Sequence, residues 1–249
     1  LAELMRAIGG GIHIKTEVNI PKGSGLGTSS ILAAAILKSL NNIIGNDITD
    51  TELFEQVLLL EQLLTTGGGW QDQVGGIIPG IKLIKSKPGI KQEITYDLLK
   101  LDNNTINQLN DRFVVLYTGQ RRLAKGILRD IMGDYILNSP TKIKYLYEIQ
   151  RIAVLMKFEL EKGNIDAFAE LMNEHFRINK LIDAGSTNNY IDQIIEICKP
   201  YISSVKMCGA GGGGFAQMLL KRGKDKEELS RILQSTFKEN SVGLWDCRI

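Results

Sequence analysis

The chain has 249 residues, 43% hydrophobic and 23% charged, which is enough apolar material for a packed core and excludes a disordered chain. Thirty basic residues against 28 acidic ones leave a net charge of +2, with no electrostatic case for nucleic acid. Two histidines and three cysteines form neither a zinc-site spacing nor a disulfide framework, and the apolar runs at 31–37 and 57–60 are too short to cross a bilayer. Sparse cysteine fits a reducing, cytoplasmic compartment.

Ile12, Ile14, Thr16, Val18 and Ile20 alternate with polar residues, which predicts a half-buried strand ended by Pro21. A glycine-rich loop at 22–27 follows. Then comes a helix over 28–40 whose first turn, Thr28-Ser29-Ser30, carries capping residues. Thr49 and Glu52 have the spacing of a capping box and open a second helix that reaches Leu64. Leu53, Val57, Leu60 and Leu64 form its apolar stripe, and Glu61 lies at the border of that stripe. Gly67, Gly68 and Gly69 lead into Trp70-Gln71-Asp72-Gln73 and a predicted strand over 77–84. Residues 85–110 are polar and predict a loop-rich crossing, a natural domain boundary. A β-like run at 113–117 precedes helices predicted over 121–137, 141–162, 164–180 and 190–199. The chain ends in a strand at 203–207, a glycine loop, a strand at 215–220, a helix at 225–238 and a strand at 242–245. His175 falls on the apolar spacing of Phe168, Leu171 and Met172 and reads as structural. Cys208, beside the second glycine loop, reads as a small packing residue.

Glycine is the odd component, with 26 residues against 5 prolines. Most of them lie in four patches: at 9–11, at 23, 25 and 27, between 67 and 80, and between 209 and 214. Clustered glycine points to backbone that turns sharply or approaches a ligand closely. The string Pro21-Lys22-Gly23-Ser24-Gly25-Leu26-Gly27-Thr28-Ser29-Ser30 sets such a patch before a helix start. The unpaired N–H groups and partial positive charge there suit a phosphate. The string is neither a Walker A loop nor GxGxxG. By spacing alone, a tight turn before a capped helix is an equal reading.

The whole string resembles the ATP-binding motif of the GHMP kinases, the superfamily of galactokinase, homoserine kinase, mevalonate kinase and phosphomevalonate kinase. Cys208-Gly209-Ala210-Gly211-Gly212-Gly213-Gly214-Phe215 looks like that family's C-terminal glycine motif. The segment Leu60-Glu61-Gln62-Leu63-Leu64-Thr65-Thr66-Gly67-Gly68-Gly69-Trp70-Gln71-Asp72-Gln73-Val74-Gly75-Gly76 is similar to L-fucokinases, stand-alone or fused to a guanylyltransferase. So is Tyr117-Thr118-Gly119-Gln120-Arg121-Arg122-Leu123-Ala124-Lys125-Gly126-Ile127-Leu128. Heptose-7-phosphate kinases share the core from Gly67 to Gln73, usually without the tryptophan. The resemblance spans nearly the whole chain. It implies an α+β, two-domain GHMP kinase fold. A partial, ATP-binding N-terminal domain resembling the ribosomal protein S5 domain 2-like fold would cover 1–108, and the GHMP kinase C-terminal domain 109–249. It implies ATP and Mg²⁺ as cofactors and a small-molecule sugar as partner, with neither nucleic acid nor membrane. The implied reaction is phosphorylation of L-fucose at its anomeric hydroxyl, giving fucose 1-phosphate. A heptose-7-phosphate kinase, and a nucleotide- or sugar-binding relative without turnover, are the alternatives.

Phosphoryl transfer needs a phosphate cradle, a metal on the phosphate oxygens and a group that handles the acceptor hydroxyl. The resemblance implies that Gly23, Ser24, Gly25, Leu26, Gly27, Thr28, Ser29 and Ser30 bind ATP. It implies Ser29 and Glu61 as metal ligands and Asp72 as the catalytic base. Gly68, Gly69, Trp70, Arg122, Gly211 and Gly212 are its candidates for the sugar site. The residues alone leave blander readings open. Ser29 suits a helix start, Glu61 a solvated helix face, Asp72 a helix cap, Trp70 a core, and Arg122 with Lys125 a surface pair. The family's Arg-x-Asp-x-x-Gly-Gly motif has no counterpart, since Gly9-Gly10-Gly11 lacks the Arg-Asp lead. With Leu1 at the start, this predicts a truncated chain, a fused or separate N-terminal portion, and an open sheet edge.

Overall fold

The structure, a computed structural model, describes residues 6–64, 69–87, 89, 93–121, 131, 133, 135–238 and 241–249. The chain divides into two compact units. The first comprises Leu1–Lys22, Gly27–Pro79 and Ile84–Thr95, and the second Gly23–Leu26, Gly80–Leu83 and Tyr96–Ile249.

The first unit contains the helices α1 (Thr28–Ile43), α2 (Asp50–Leu63) and α3 (Gln71–Ile77). The capping box that opens α2 is present. The Thr49 hydroxyl accepts the Glu52 N–H, and a Glu52 carboxylate oxygen accepts the Thr49 N–H at 2.9 Å. Ala34, Ile48, Leu53 and Val57 make one apolar cluster, and Phe54, Val74 and Ile78 a second. A strand predicted over 77–84 is instead the end of α3 followed by β1 (Lys82–Lys87). Gly75 and Gly76 argue against a helix by propensity. Packing decides otherwise, because a Cβ on Gly76 would lie 2.2 Å from Ile31 Cγ1, so only glycine lets the two helices approach.

The strand predicted over 12–20 does not form. Residues 11–19 have no regular structure, and Ile12, Ile14 and Val18 are 41%, 48% and 47% exposed. Alternation supplies a face, but a strand also needs a neighbouring ladder for its backbone groups. None of the described strands pairs with this segment.

β1, which overlaps the end of the predicted strand, pairs with β2 (Glu93–Leu98) in a two-stranded sheet, and β2 lies in the stretch expected to be loop. The same stretch holds α4 (Asn103–Arg112), opened by Asp102, whose carboxylate accepts the Thr105 N–H at 2.7 Å. The inner face of α4 is partly polar, which hid its periodicity. Buried Arg112 donates to Leu220 O at 2.9 Å and pairs with Asp166 at 2.9 Å.

The rest of the second unit follows the sequence reading closely. Its elements are β3 (Phe113–Thr118), α5 (Pro140–Glu161), α6 (Ile165–Ile182), a 3₁₀ turn (Ala184–Ser186), α7 (Asn189–Cys198), β4 (Ile202–Met207), β5 (Phe215–Leu220), α8 (Lys226–Thr236) and β6 (Val242–Trp245). Four strands make an antiparallel sheet in the order β4-β5-β3-β6, with Leu116 opposite Ala216 and Val205 opposite Met218. β5 serves two cores. Ala216, Met218 and Leu220 join the cluster with Ile191, Ile194 and Leu229, whereas Leu219 joins Leu109, Phe168 and Met172. The helix predicted over 121–137 lies mostly outside the described residues, though Ile131, Gly133, Tyr135 and Ile136 are helical. Among the described residues no helix is long and apolar enough to cross a membrane.

Candidate active site

In the second unit the glycine run 209–214 closes the β4–β5 hairpin, with Cys208 N donating to Phe215 O at 2.8 Å. The end of β3 holds this turn. Thr118 donates to Gly214 O from its N–H at 2.9 Å and from its hydroxyl at 2.8 Å, and Gly214 N donates to Gln120 O at 2.8 Å. Gly212 N donates to Ser186 O at 2.7 Å. The segment Gly23–Leu26 lies on the same turn, where Phe215 N donates to Ser24 O at 2.9 Å. A Cβ on Gly25 would stand 2.7 Å from Cys208 O, and one on Gly214 2.2 Å from Ser24 O. Both glycines have positive φ, +75° and +77°. Two separated glycine patches are thus one backbone-on-backbone contact, which any side chain would break. Ser24 is buried, and its hydroxyl accepts Leu26 N at 3.2 Å. Cys208 is buried, and burial pushes its thiol up to about 11, in keeping with a packing residue.

In the first unit Gly27 caps α1. Its φ of 68° is left-handed, and no side chain caps the helix. The Thr28-Ser29-Ser30 turn therefore does not supply the cap the sequence suggested. A helix start without a side-chain cap, entered from a glycine loop, suits an oxyanion. Asp72, in the first turn of α3, lies directly against it. A Cβ on Gly27 would be 3.0 Å from Asp72 Cβ and 3.2 Å from its Cγ. Glu61, near the end of α2, is 6% exposed, and the Ser30 hydroxyl donates to its Oε1 at 2.6 Å. Asp72 keeps solvent-accessible surface, yet the protein around it strips hydration from its carboxyl. That desolvation, and secondly the negative charge of Glu61, raises Asp72 above the usual aspartate value. The solvated-face reading of Glu61 is excluded by its burial.

Ser29 is exposed in the first turn of α1, so Ser30, not Ser29, meets Glu61. Glu61, Asp72 and the two serine hydroxyls offer hard oxygens, the donor set that Mg²⁺ takes. Among the described residues no group of three or more His, Cys, Asp or Glu forms a metal cage.

Trp70 is half-buried and packs against Phe54, Val74 and Ile78. Gln73 is fully buried. Its side-chain amide nitrogen, in the orientation that satisfies both ends of the group, donates to Trp70 O at 3.0 Å and Gly69 O at 3.2 Å. It thereby pins the backbone just before Asp72. Gly68 and Arg122 lie outside the described residues. Sequence reasoning missed Ser30 as the partner of Glu61, and Gln73, although both sit inside the quoted strings. The signal available was residue type and position, while their partners are set by the folding of the chain.

The GHMP kinases N terminal domain family matches residues 1–79, and the GHMP kinases C terminal family matches residues 156–239. The chain is 39% identical over 224 residues to a bifunctional fucokinase/GDP-fucose pyrophosphorylase of Arabidopsis thaliana, a match covering 90% of this chain and 21% of that protein. It is 37% identical over 233 residues to an L-fucokinase/L-fucose-1-P guanylyltransferase of Bacteroides fragilis, covering 94% and 25%. The chain therefore spans a quarter or less of these two relatives. Lactococcus lactis galactokinase complexed with galactose has the same fold, with a TM-score of 0.69 at 15% identity over 99% of this chain and 72% of that one. With both family halves matched in order and the fold shared, the chain belongs to the GHMP kinase superfamily.

Proposed function

We propose that this protein is an ATP-dependent sugar kinase that phosphorylates the anomeric hydroxyl of L-fucose, with Asp72 as the base. The observation that carries the reading is Asp72 lying against Gly27, at the start of the helix that the glycine loop enters. The phosphates would rest on the backbone of Gly23 to Gly27 and on the first-turn N–H groups from Thr28 to Ser30. Mg²⁺, with Glu61 and Ser29 among its oxygen ligands, would supply positive charge to the phosphate oxygens. Ser30 keeps the Glu61 carboxylate in place.

Asp72 takes the proton of the acceptor hydroxyl as that oxygen bonds to the γ-phosphorus. The bond from γ-phosphorus to the β–γ bridging oxygen breaks, and ADP leaves. A carboxyl raised toward the working pH is a stronger base than an ordinary aspartate. Fucose as acceptor is supported by the 60–76 and 117–128 strings and by the printed activities of the two relatives. Among the described residues, Gly69 and Trp70 of the first unit and, separately, Gly211 and Gly212 of the second are the candidates for sugar contacts. We place the activity in the cytoplasm, in keeping with free Cys198, Cys208 and Cys247.

The test is ADP release by the whole chain with ATP and a panel of fucose, galactose, mannose and heptose 7-phosphate. Fucose should give the highest kcat/KM. A clear preference for heptose 7-phosphate would replace the substrate, and no sugar-dependent ADP would sink the kinase reading.

A further inference from the structure

We propose that Gly76 is a positioning residue for phosphoryl transfer: having no side chain, it lets α3 lie close enough to α1 to hold the Asp72 carboxylate at the start of α1. The inference deepens the sugar-kinase reading and rests on Asp72 as its base. It follows from two close approaches, both within the first unit. A Cβ on Gly27 would be 3.0 Å from Asp72 Cβ, and a Cβ on Gly76 would be 2.2 Å from Ile31 Cγ1 and 2.5 Å from its Cδ1. Ile31 lies four residues after Gly27, and Gly76 four residues after Asp72. The spacing is the same on both helices, so α1 and α3 run side by side in one direction. The two approaches stand about 6 Å apart, one helical turn.

A side chain at position 76 would find no easy relief. An isoleucine within a helix is stiff at χ1, so Cγ1 does not swing aside freely. Nor can α3 slip toward α2, because Val74 and Ile78 are packed there on buried Phe54. Ordinary carbon contact needs more than about 1 Å of extra separation, so a methyl group at 76 must push α3 off α1. Asp72, one turn away on the same short helix, moves with it. The neighbouring glycine is the control, since a Cβ on Gly75 would meet nothing within 4 Å. Gly75→Ala and Gly76→Ala bring the same gain in helix propensity, and only the second brings the clash.

Three variants of the whole chain test this, assayed well below their melting temperatures and normalised to folded protein. Gly76→Ala should lower kcat about ten- to hundredfold, the cost of misplacing a reacting group by about 1 Å. The KM values for ATP and for the sugar should stay within about twofold. The acid limb of its kcat profile should move to lower pH, because an Asp72 shifted off α1 regains the water whose loss is the main cause of its raised value. Glu61 is the charged group that acts on it. Gly75→Ala should match the unsubstituted chain. Ile31→Ala, added to Gly76→Ala, removes both clashing carbons and should recover most of the lost kcat. An unchanged kcat in Gly76→Ala, or a loss that Ile31→Ala does not recover, would overturn the assignment. So would an equal loss in Gly75→Ala, which would tie the effect to backbone freedom in α3. Failure of the sugar-kinase reading is separately visible as no sugar-dependent ADP from the unsubstituted chain, and it would take this role of Gly76 with it.

Discussion

Asp72 and Glu61 are both carboxylates near the start of α1, yet their surroundings differ. Glu61 is buried and held by a hydroxyl, while Asp72 is raised by desolvation and by Glu61. A raised carboxyl means the fold disfavours its charged form. The unfolded chain gives up that proton at lower pH, so ionised Asp72 costs stability above its folded pKa. The cost fades as pH falls through that value. Asp72→Asn should therefore hold or raise the melting temperature at neutral pH while sugar-dependent ADP formation drops by roughly 10²–10⁴. A thermal melt run beside the assay checks both, and lost activity with a lowered melt would mean a structural role. At Gly27 the φ of 68° strains any side chain, and a methyl group would press on Asp72 at 3.0 Å. Gly27→Ala should cost about 1–2 kcal/mol from the left-handed backbone alone and lower kcat by displacing Asp72. The eleven-residue spacing from Glu61 to Asp72 was legible in the chain. That Ser30 binds Glu61 was not, because partner choice depends on how α1 packs on α2.

Elements were legible where their signals are local. The Thr49–Glu52 box, α2, and the run from β3 through β6 agree with the sequence because capping and periodicity act over a few residues. Thr49→Ala should cost about 1 kcal/mol in denaturant unfolding with the KM for sugar unchanged. Of the elements read wrongly, three have a definite reason. Residues 11–19 have strand periodicity without a ladder partner among the described strands. α3 forms despite two glycines, since Gly76 admits Ile31. α4 hides behind a polar inner face satisfied by Leu220 O and Asp166. The glycine turn 209–214 is an element defined by what it touches. Gly214→Ala would drive a Cβ to 2.2 Å from Ser24 O, so unfolding free energy should fall by at least about 2 kcal/mol. A variant of normal stability would refute that packing.

At the level of the molecule, the units interleave along the chain. Gly23–Leu26 belongs by packing to the second unit although its neighbours on both sides belong to the first. The second unit also buries basic groups that set its acid tolerance. Burial, and secondly the charge of Lys206, lowers His175 from its ordinary 6.5 to about 3. The unfolded chain binds a proton there that the folded chain refuses. This contribution to stability is therefore whole above pH 6.5 and is lost as pH falls toward 3. His175→Gln should flatten the fall in melting temperature between pH 7 and 5 relative to the unsubstituted protein. Parallel curves would show that His175 does not titrate in this way. Reading along the chain was enough for the family motifs, most helices and the β3–β6 strands, and it singled out Asp72 and Glu61 as candidates. Motif spacing, caps and apolar periods are local chemistry and survive without a fold. Folding had to decide which glycine patches meet, which serine holds Glu61, and why Asp72 is raised. Those depend on burial and on hydrogen-bond partners far apart in the chain, and no local pattern encodes them.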